Sequence, residues 1–303
     1  MTVRNCRIAA AVAGATAIVL GSAACGVAGT GNTSPGGGIA VVASTDVWGS
    51  VVRAIGGDAV DVTSIIDDPT KDPHDYEVKP LDAAKIAGAA LVVGNGDGYD
   101  DFFAKAVSAS GGGKRSIVAA AYGPSGARAN EHLFYDLPTV KRVAAQVAKE
   151  LDAIRPAKES TFDGNAKQFE AEIDKLSARV ATIGADHPGK QVMVTEPVAS
   201  YLLKAAGVGD ATPEAFERAV EAGSDIPAAA LSEADGLVTG KRVAALVNNA
   251  QAETAVTKEL KAKAEAAGLP IVDVTETLVP RGTDYVSWIR KEVDALSNAL
   301  AKP

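Results

Sequence analysis

The stretch Phe162-Asp163-Gly164-Asn165-Ala166-Lys167-Gln168-Phe169-Glu170-Ala171-Glu172-Ile173-Asp174-Lys175-Leu176-Ser177-Ala178-Arg179-Val180-Ala181-Thr182-Ile183 decides how the chain is arranged. Its apolar residues Phe162, Ala166, Phe169, Ile173, Leu176, Val180 and Ile183 recur at alternating spacings of four and three, the period of one helical face. A continuous helix over residues 157–185 would be roughly 40 Å long at 1.5 Å per residue. Only Gly164 interrupts the run. A seam this short packs on its own domains more readily than it forms a coiled coil, so it is read as a rigid strut between two lobes.

Strand and helix alternate on both sides of that strut. Upstream, the unbroken apolar run 39–43 has the character of a parallel strand buried on both faces. A helix over 47–55 stops at Gly56-Gly57. Strand 60–66 follows, then a polar loop containing His74, and a helix over 81–89 opened by Pro80. Strand 90–93, helix 99–108 and strand 116–120 complete this half, and a second polar loop, 122–131, leads to His132. Helix resumes at Val140, with Val143, Ala144, Val147 and Leu151 on one stripe. Downstream, strand 191–194 ends in Thr195-Glu196, with a helix over 198–206 after Pro197. Strand 243–247, helix 253–267, strand 271–274 with Asp273 inside it, and an amphipathic helix over 285–300 close the chain. The fold class is α/β: two lobes, each with a mainly parallel sheet flanked by helices, joined by one long rigid helix. The expected divisions are an N-terminal lobe at 39–156, the linking helix at 157–186 and a C-terminal lobe at 187–303.

The 303 residues are 47% hydrophobic and 22% charged, with net charge −8, an ordinary globular composition without the basic face that nucleic acid requires. The first residues read as an export signal. Arg4 and Arg7 form a positive head, and the apolar run 8–20 is too short for the ~20 residues of a spanning helix. It leads through Gly21-Ser22-Ala23-Ala24 to Cys25, which resembles a bacterial lipobox with Ser22 in place of the usual leucine. Residues 1–24 are then a lipoprotein signal peptide, Cys25 is the lipidated residue, and 25–38 is a flexible Gly/Ser-rich tether. The other cysteine, Cys6, lies in the leader, leaving the mature chain without a disulfide.

Ligands of open α/β sheets bind beyond the carboxyl ends of the strands. His74 follows the second strand and His132 the fourth; Glu196 ends the first strand of the second half, and Asp273 lies near the end of a later one. Two metal-competent side chains per lobe thus point to one inter-lobe cleft. Glu196 before a proline also suits a helix cap, whereas Asp273 inside an apolar strand would be an expensive buried carboxylate without a partner. Glu276 is an alternative expected outside the cleft. Asp75, Glu77, Glu131 and Asp136 are read as surface groups or as groups that orient a ligand imidazole. Trp48 and Trp288 are read as packing residues and His187 as solvated.

The motifs Pro73-His74-Asp75-Tyr76-Glu77, Asn95-Gly96-Asp97-Gly98, Asn130-Glu131-His132-Leu133-Phe134-Tyr135-Asp136, Thr195-Glu196 with Tyr201-Leu202, and Ile271-Val272-Asp273 with Gly282, Asp284 and Tyr285 make the chain resemble the periplasmic zinc/manganese-binding proteins of ABC importers. The resemblance covers essentially the whole mature chain. It implies a monomer anchored by lipid to the outer face of the cytoplasmic membrane, with no catalytic activity. Such a protein would capture Mn2+ or Zn2+ through His74, His132, Glu196 and Asp273 and pass it to an ABC permease. Departures are the absence of a His-rich loop and of a third ligand histidine, which bring the set closer to the manganese-associated branch. Zn2+ nonetheless outranks Mn2+ in intrinsic affinity for such donors. A metallohydrolase is the competing reading; it needs an open coordination position and a base, and no His-Glu-x-x-His sequence is present. A lipoprotein that buffers metal or docks a partner is a third.

Overall fold

The computed structural model describes residues 37–111, 113–124 and 130–302. The expected signal peptide, Cys25 and all but the last two tether residues lie outside the described residues. In the N-terminal half, β1 (Ile39–Thr45), β2 (Val60–Ile66), β3 (Leu91–Gly94) and β4 (Arg115–Val118) form an all-parallel sheet in the order β2-β1-β3-β4. Helices α1 (Asp46–Gly56), α2 (Pro80–Gly88), α3 (Asp101–Ala109) and α4 (Leu137–Ile154) accompany it. Strand β1 is buried on both faces because its side chains alternate between two cores. Val41 and Ala43 join the core that includes α1 and α4, while Val42 joins Ile86, Phe102 and Phe103 beneath α2 and α3.

The strut exists as α5 (Glu159–Asp186), entered through a short turn at Pro156–Lys158. All seven residues of the apolar stripe are buried. The C-terminal half repeats the first. Strands β5 (Gln191–Val194), β6 (Gly209–Asp210), β7 (Leu246–Asn249) and β8 (Ile271–Val274) form a parallel sheet in the order β6-β5-β7-β8. Around it lie α6 (Ser200–Ala205), α7 (Glu214–Glu221), α8 (Ala228–Thr239), α9 (Ala255–Ala267) and α10 (Tyr285–Leu300). The segment holding β6, α7 and α8 carries no element in the sequence reading. A two-residue strand has no period to detect, and α8 is a run of small residues with a weak apolar face.

The two lobes share one hydrophobic core. A single cluster of buried side chains runs from Ile39 and Val41 of β1, through Phe162 to Ile183 of α5, to Val192 and Val194 of β5 and Trp288 and Ile289 of α10. Gly184, rather than Gly164, is the glycine this packing needs. A Cβ at Gly184 would lie 2.2 Å from the Ala206 carbonyl oxygen, whereas one at Gly164 would meet nothing within 4 Å. The seam between lobes is aromatic, with Tyr135 and Trp288 ring centroids 5.3 Å apart and the Tyr285 hydroxyl donating to the Phe134 carbonyl at 2.6 Å. Both tryptophans are buried as expected, and each indole N–H has a partner: Trp48 donates to Asn95 Oδ1 and Trp288 to Thr275 Oγ1.

A buried carboxyl completes the seam. The Tyr135 hydroxyl lies 2.8 Å from the Thr275 carbonyl and 2.5 Å from Glu292 Oε2. One hydroxyl carries one proton, so both contacts are satisfied when Tyr135 donates to Thr275 and a protonated Glu292 donates to Tyr135. Burial pushes the Glu292 carboxyl up to about 8, which keeps that proton in place at neutral pH.

Two outcomes follow for stability. Gly184→Ala should cost about 2 kcal/mol, read as a lowered denaturant midpoint, because the obstacle is backbone; Gly164→Ala should instead gain about 0.5–1 kcal/mol, since it is an exposed position inside α5. Because the folded pKa of Glu292 is raised, its stabilising contribution is complete below the unfolded carboxyl range and is lost as pH climbs toward 8. Glu292→Gln, which supplies a permanent donor, should therefore gain on the native chain between pH 5 and 8, by about 5 °C in melting temperature.

Candidate metal centre

Each lobe sends the carboxyl ends of its strands toward the same cleft. After β2, the loop to α2 is shaped by its own acids. Asp72 Oδ1 accepts the His74 backbone N–H and lies 2.9 Å from its Nδ1, while Asp82 Oδ2 accepts the Tyr76 hydroxyl and the Lys79 N–H just before Pro80. After β3, the Asn95-Gly96-Asp97-Gly98 turn places three successive residues at positive φ. Gly96 is required there, since a Cβ would also lie 2.6 Å from Val118 Cγ1. Asp100 caps the turn by accepting the N–H groups of Asn95 and Gly96. Asn95, fully buried, donates through Nδ2 to the Glu131 carbonyl at 2.7 Å and so holds the segment that carries His132.

Asn130 ties that segment to the other lobe. Its Nδ2 donates to the Pro197 carbonyl at 2.7 Å, and its backbone carbonyl accepts the Tyr201 hydroxyl at 2.8 Å. With Nδ2 so used, Oδ1 is the acceptor that lies 2.9 Å from His132 Nδ1. The proton of a neutral His132 ring is therefore on Nδ1, and Nε2 carries a free lone pair directed at the cleft. His132 is 3% exposed. Burial, and next the charge of His74, lower its pKa to about 3, so the lone pair is available throughout the physiological range.

The C-terminal lobe supplies Glu196 and Glu276. Glu196 makes no cap for the turn at Pro197–Ala199; its Oε2 accepts Asn249 Nδ2 at 2.5 Å. The same amide nitrogen donates to Glu276 Oε1 at 2.8 Å, so Asn249 draws both carboxylates together. Glu276 is 1% exposed, its Oε2 lies 3.8 Å from His132 Nε2, and that oxygen has no hydrogen-bond partner among the described residues. Burial raises its pKa to about 7. A cavity of about 350 Å³ is lined by Asp72, His74, Glu131, His132, Glu196 and Glu276.

Asp273 does not join them, and Glu276 does, which corrects both sequence expectations. Strand β8 is the last strand of its sheet, and its two faces are unequally covered. Val272 and Val274 take the buried face, and Asp273 turns out, 50% exposed, 2.9 Å from Lys261 Nζ and 2.8 Å from Asn248 Nδ2. Past the strand end, Gln251 Oε1 accepts the N–H groups of Glu276 and Thr277 and fixes the turn that brings Glu276 inward. Asp75 lines the cavity as an exposed group, and Asp136 caps α4 by accepting the Thr139 N–H.

His74 and Glu131 meet across the cleft floor. Glu131 Oε1 is 2.9 Å from His74 Nε2, and one donor atom each from His74, Glu131 and His132 lies within 4.8 Å of the others. Burial opposes a charge on His74, but hydrogen bonds to Asp72 and Glu131 and the nearby Glu276 outweigh it and raise its pKa to about 11. In this form His74 is an imidazolium that donates from both nitrogens. It offsets an acidic cleft in the way a bound cation would. Two imidazoles and converging carboxylates, one with a buried unpartnered oxygen, are donors suited to a divalent transition-metal ion.

Known proteins resemble the chain throughout. The iron ABC transporter substrate-binding lipoprotein MtsA of Streptococcus pyogenes serotype M1 is 26% identical over 312 residues, covering 92% of this chain and 94% of that protein. The manganese ABC transporter substrate-binding lipoprotein PsaA of Streptococcus pneumoniae serotype 4 is 27% identical over 63% of this chain and 70% of its own length. Among solved structures, the periplasmic zinc-binding protein TroA of Treponema pallidum superposes with TM-score 0.75 at 18% identity, covering 88% of this chain and 100% of TroA. The profile of the periplasmic component A of the zinc-uptake complex, ZnuA, matches residues 41–299. The chain thus belongs to the ZnuA family of metal-binding substrate-binding proteins of ABC transporters, which are not enzymes.

Proposed function

We propose that the chain captures a divalent transition-metal cation, Mn2+ or Zn2+, between its lobes through His74, His132, Glu196 and Glu276, and delivers it to an ABC permease for import. The observation that carries this reading is the buried pair His132 Nε2 and Glu276 Oε2, 3.8 Å apart, with the carboxylate oxygen lacking a hydrogen-bond partner among the described residues. A buried unpaired carboxylate is costly, and a cation between the two atoms removes that cost. The relatives agree in kind, since their names give iron, manganese and zinc. Export, acylation of Cys25, a tether over 25–38 and a monomeric state complete the proposal, with lobes at 39–156 and 187–303 about the linking segment 157–186. Among the described residues no helix is long and apolar enough to cross a membrane, and a lipid would provide the anchor.

Metal content and thermal melting of the mature chain test the reading. One equivalent of Mn2+ or Zn2+, with a melting temperature that rises with free metal, is expected, because a ligand of the native state adds stability as RT ln(1 + [L]/Kd). Absence of both binding and shift would overturn it. Glu276→Ala should abolish tight binding, whereas Asp273→Ala should retain full stoichiometry and affinity within about twofold, as suits an exposed group paired to Lys261. The reverse pattern, read by isothermal titration, would return the fourth ligand to Asp273.

A further inference from the structure

We propose that Glu131 is a fifth ligand to the captured ion and biases this site toward an oxygen-rich, six-coordinate cation. The inference rests on the metal-capture reading and assigns to that site the hard side of the transition-metal class. Four observations carry it. Glu131 Oε1 already lies beside the His74 nitrogen that faces the cleft, and its donor atom clusters with those of His74 and His132 within 4.8 Å. Its backbone is held from both lobes, by Asn95 Nδ2 on its own carbonyl and by the contacts of Asn130 with Pro197 and Tyr201. Its side chain is only 20% exposed, so the carboxylate belongs to the cleft and not to the outer surface. Asp72, the other acid on His74, lies against the opposite ring nitrogen, so Glu131 is the carboxylate at Nε2.

The spacing carries further information. Two donors about 2.1 Å from one ion are about 3.0 Å apart when they subtend the right angle of an octahedron, and about 3.4 Å apart at the tetrahedral angle. The 2.9 Å between Glu131 Oε1 and His74 Nε2 is a hydrogen-bond length, and it is also short enough for the two atoms to serve as neighbouring ligands at either angle with little movement. Two atoms this close need not separate to become neighbouring ligands of one ion. Together with Glu196 and Glu276 the ion then meets three carboxylates and two imidazoles. That set exceeds the four ligands of a closed zinc site and suits the oxygen-weighted, higher-coordinate preference of Mn2+.

The test is competitive titration of the mature chain and of its Glu131→Gln and Glu131→Ala variants with Mn2+ and with Zn2+, together with X-ray absorption at the Mn edge. The fifth-ligand role predicts that the variants lose at least about tenfold more affinity for Mn2+ than for Zn2+, about 1.4 kcal/mol of discrimination. It also predicts one fewer light-atom ligand on Mn2+ in Glu131→Ala. A role confined to orienting His74 would lower both affinities by a similar factor, about 10–100-fold, with coordination number unchanged. Equal losses, no loss, or an unchanged Mn coordination shell would each overturn the proposal. A native chain that takes up neither ion would instead refute the capture function, so the two failures are distinguishable.

Discussion

Everything at the cleft depends on the continuous apolar core threaded by α5. Each lobe is a four-stranded parallel sheet, and a parallel sheet presents its functional loops at one end only. Two such sheets could be joined in many orientations. Here the stripe from Phe162 to Ile183, together with Trp288 and Tyr285 from α10, packs against both lobes and fixes their relation. With that relation set, the loops after β2 and β4 face the turns after β5 and β8. Side chains more than 100 positions apart in sequence thereby line one small cavity.

The cost of that convergence is electrostatic. Asp72, Glu131, Glu196 and Glu276 crowd a partly buried space, and like charges brought together there repel. The chain answers with neutral amides and one imidazolium. Asn249 bridges Glu196 and Glu276, Asn130 sets the tautomer of His132, Asn95 anchors the Glu131 carbonyl, and His74 carries the compensating charge. Amides orient the donors without adding a fixed positive charge that would compete with a cation. His74 differs from a lysine or arginine at the same place, because it can surrender its proton and become a ligand itself.

Much of this was legible in the sequence, and the exceptions have physical causes. The period of α5 and the strand–helix alternation are local signals, and they gave the two-lobe α/β fold. His74, His132 and Glu196 stand in segments that follow strand ends, where topology directs them to the cleft. Asp273 was misread because apolar neighbours in a strand look alike whether the strand is central or at an edge, and strand order is a tertiary property. Glu276 reads in the sequence as an alternative outside the cleft because its inward course depends on Gln251, a hydrogen bond across 25 positions in a segment without regular structure. Gly164 drew attention as an interruption while Gly184 was silent, since only the packed structure shows which of them faces a carbonyl oxygen.

The same contrast bears on metal choice. Residue types alone define a donor set, and for almost any such set Zn2+ binds more tightly than Mn2+. A protein can offset that order through ligand type and through the number and spacing of its donors, which a preorganised framework helps to hold. The described structure has such a framework. Asn130 is bonded to Pro197 and Tyr201 of the opposite lobe, and Tyr99, whose ring lies 5.2 Å from His74 and 5.8 Å from His132, is fully buried against both histidines. Any sliding of one lobe past the other would disturb a shared core packed at interior density. The packing of α5 against both lobes is therefore what keeps these donor groups in one cavity, and under the proposed capture function it would bear on how many of them an ion meets.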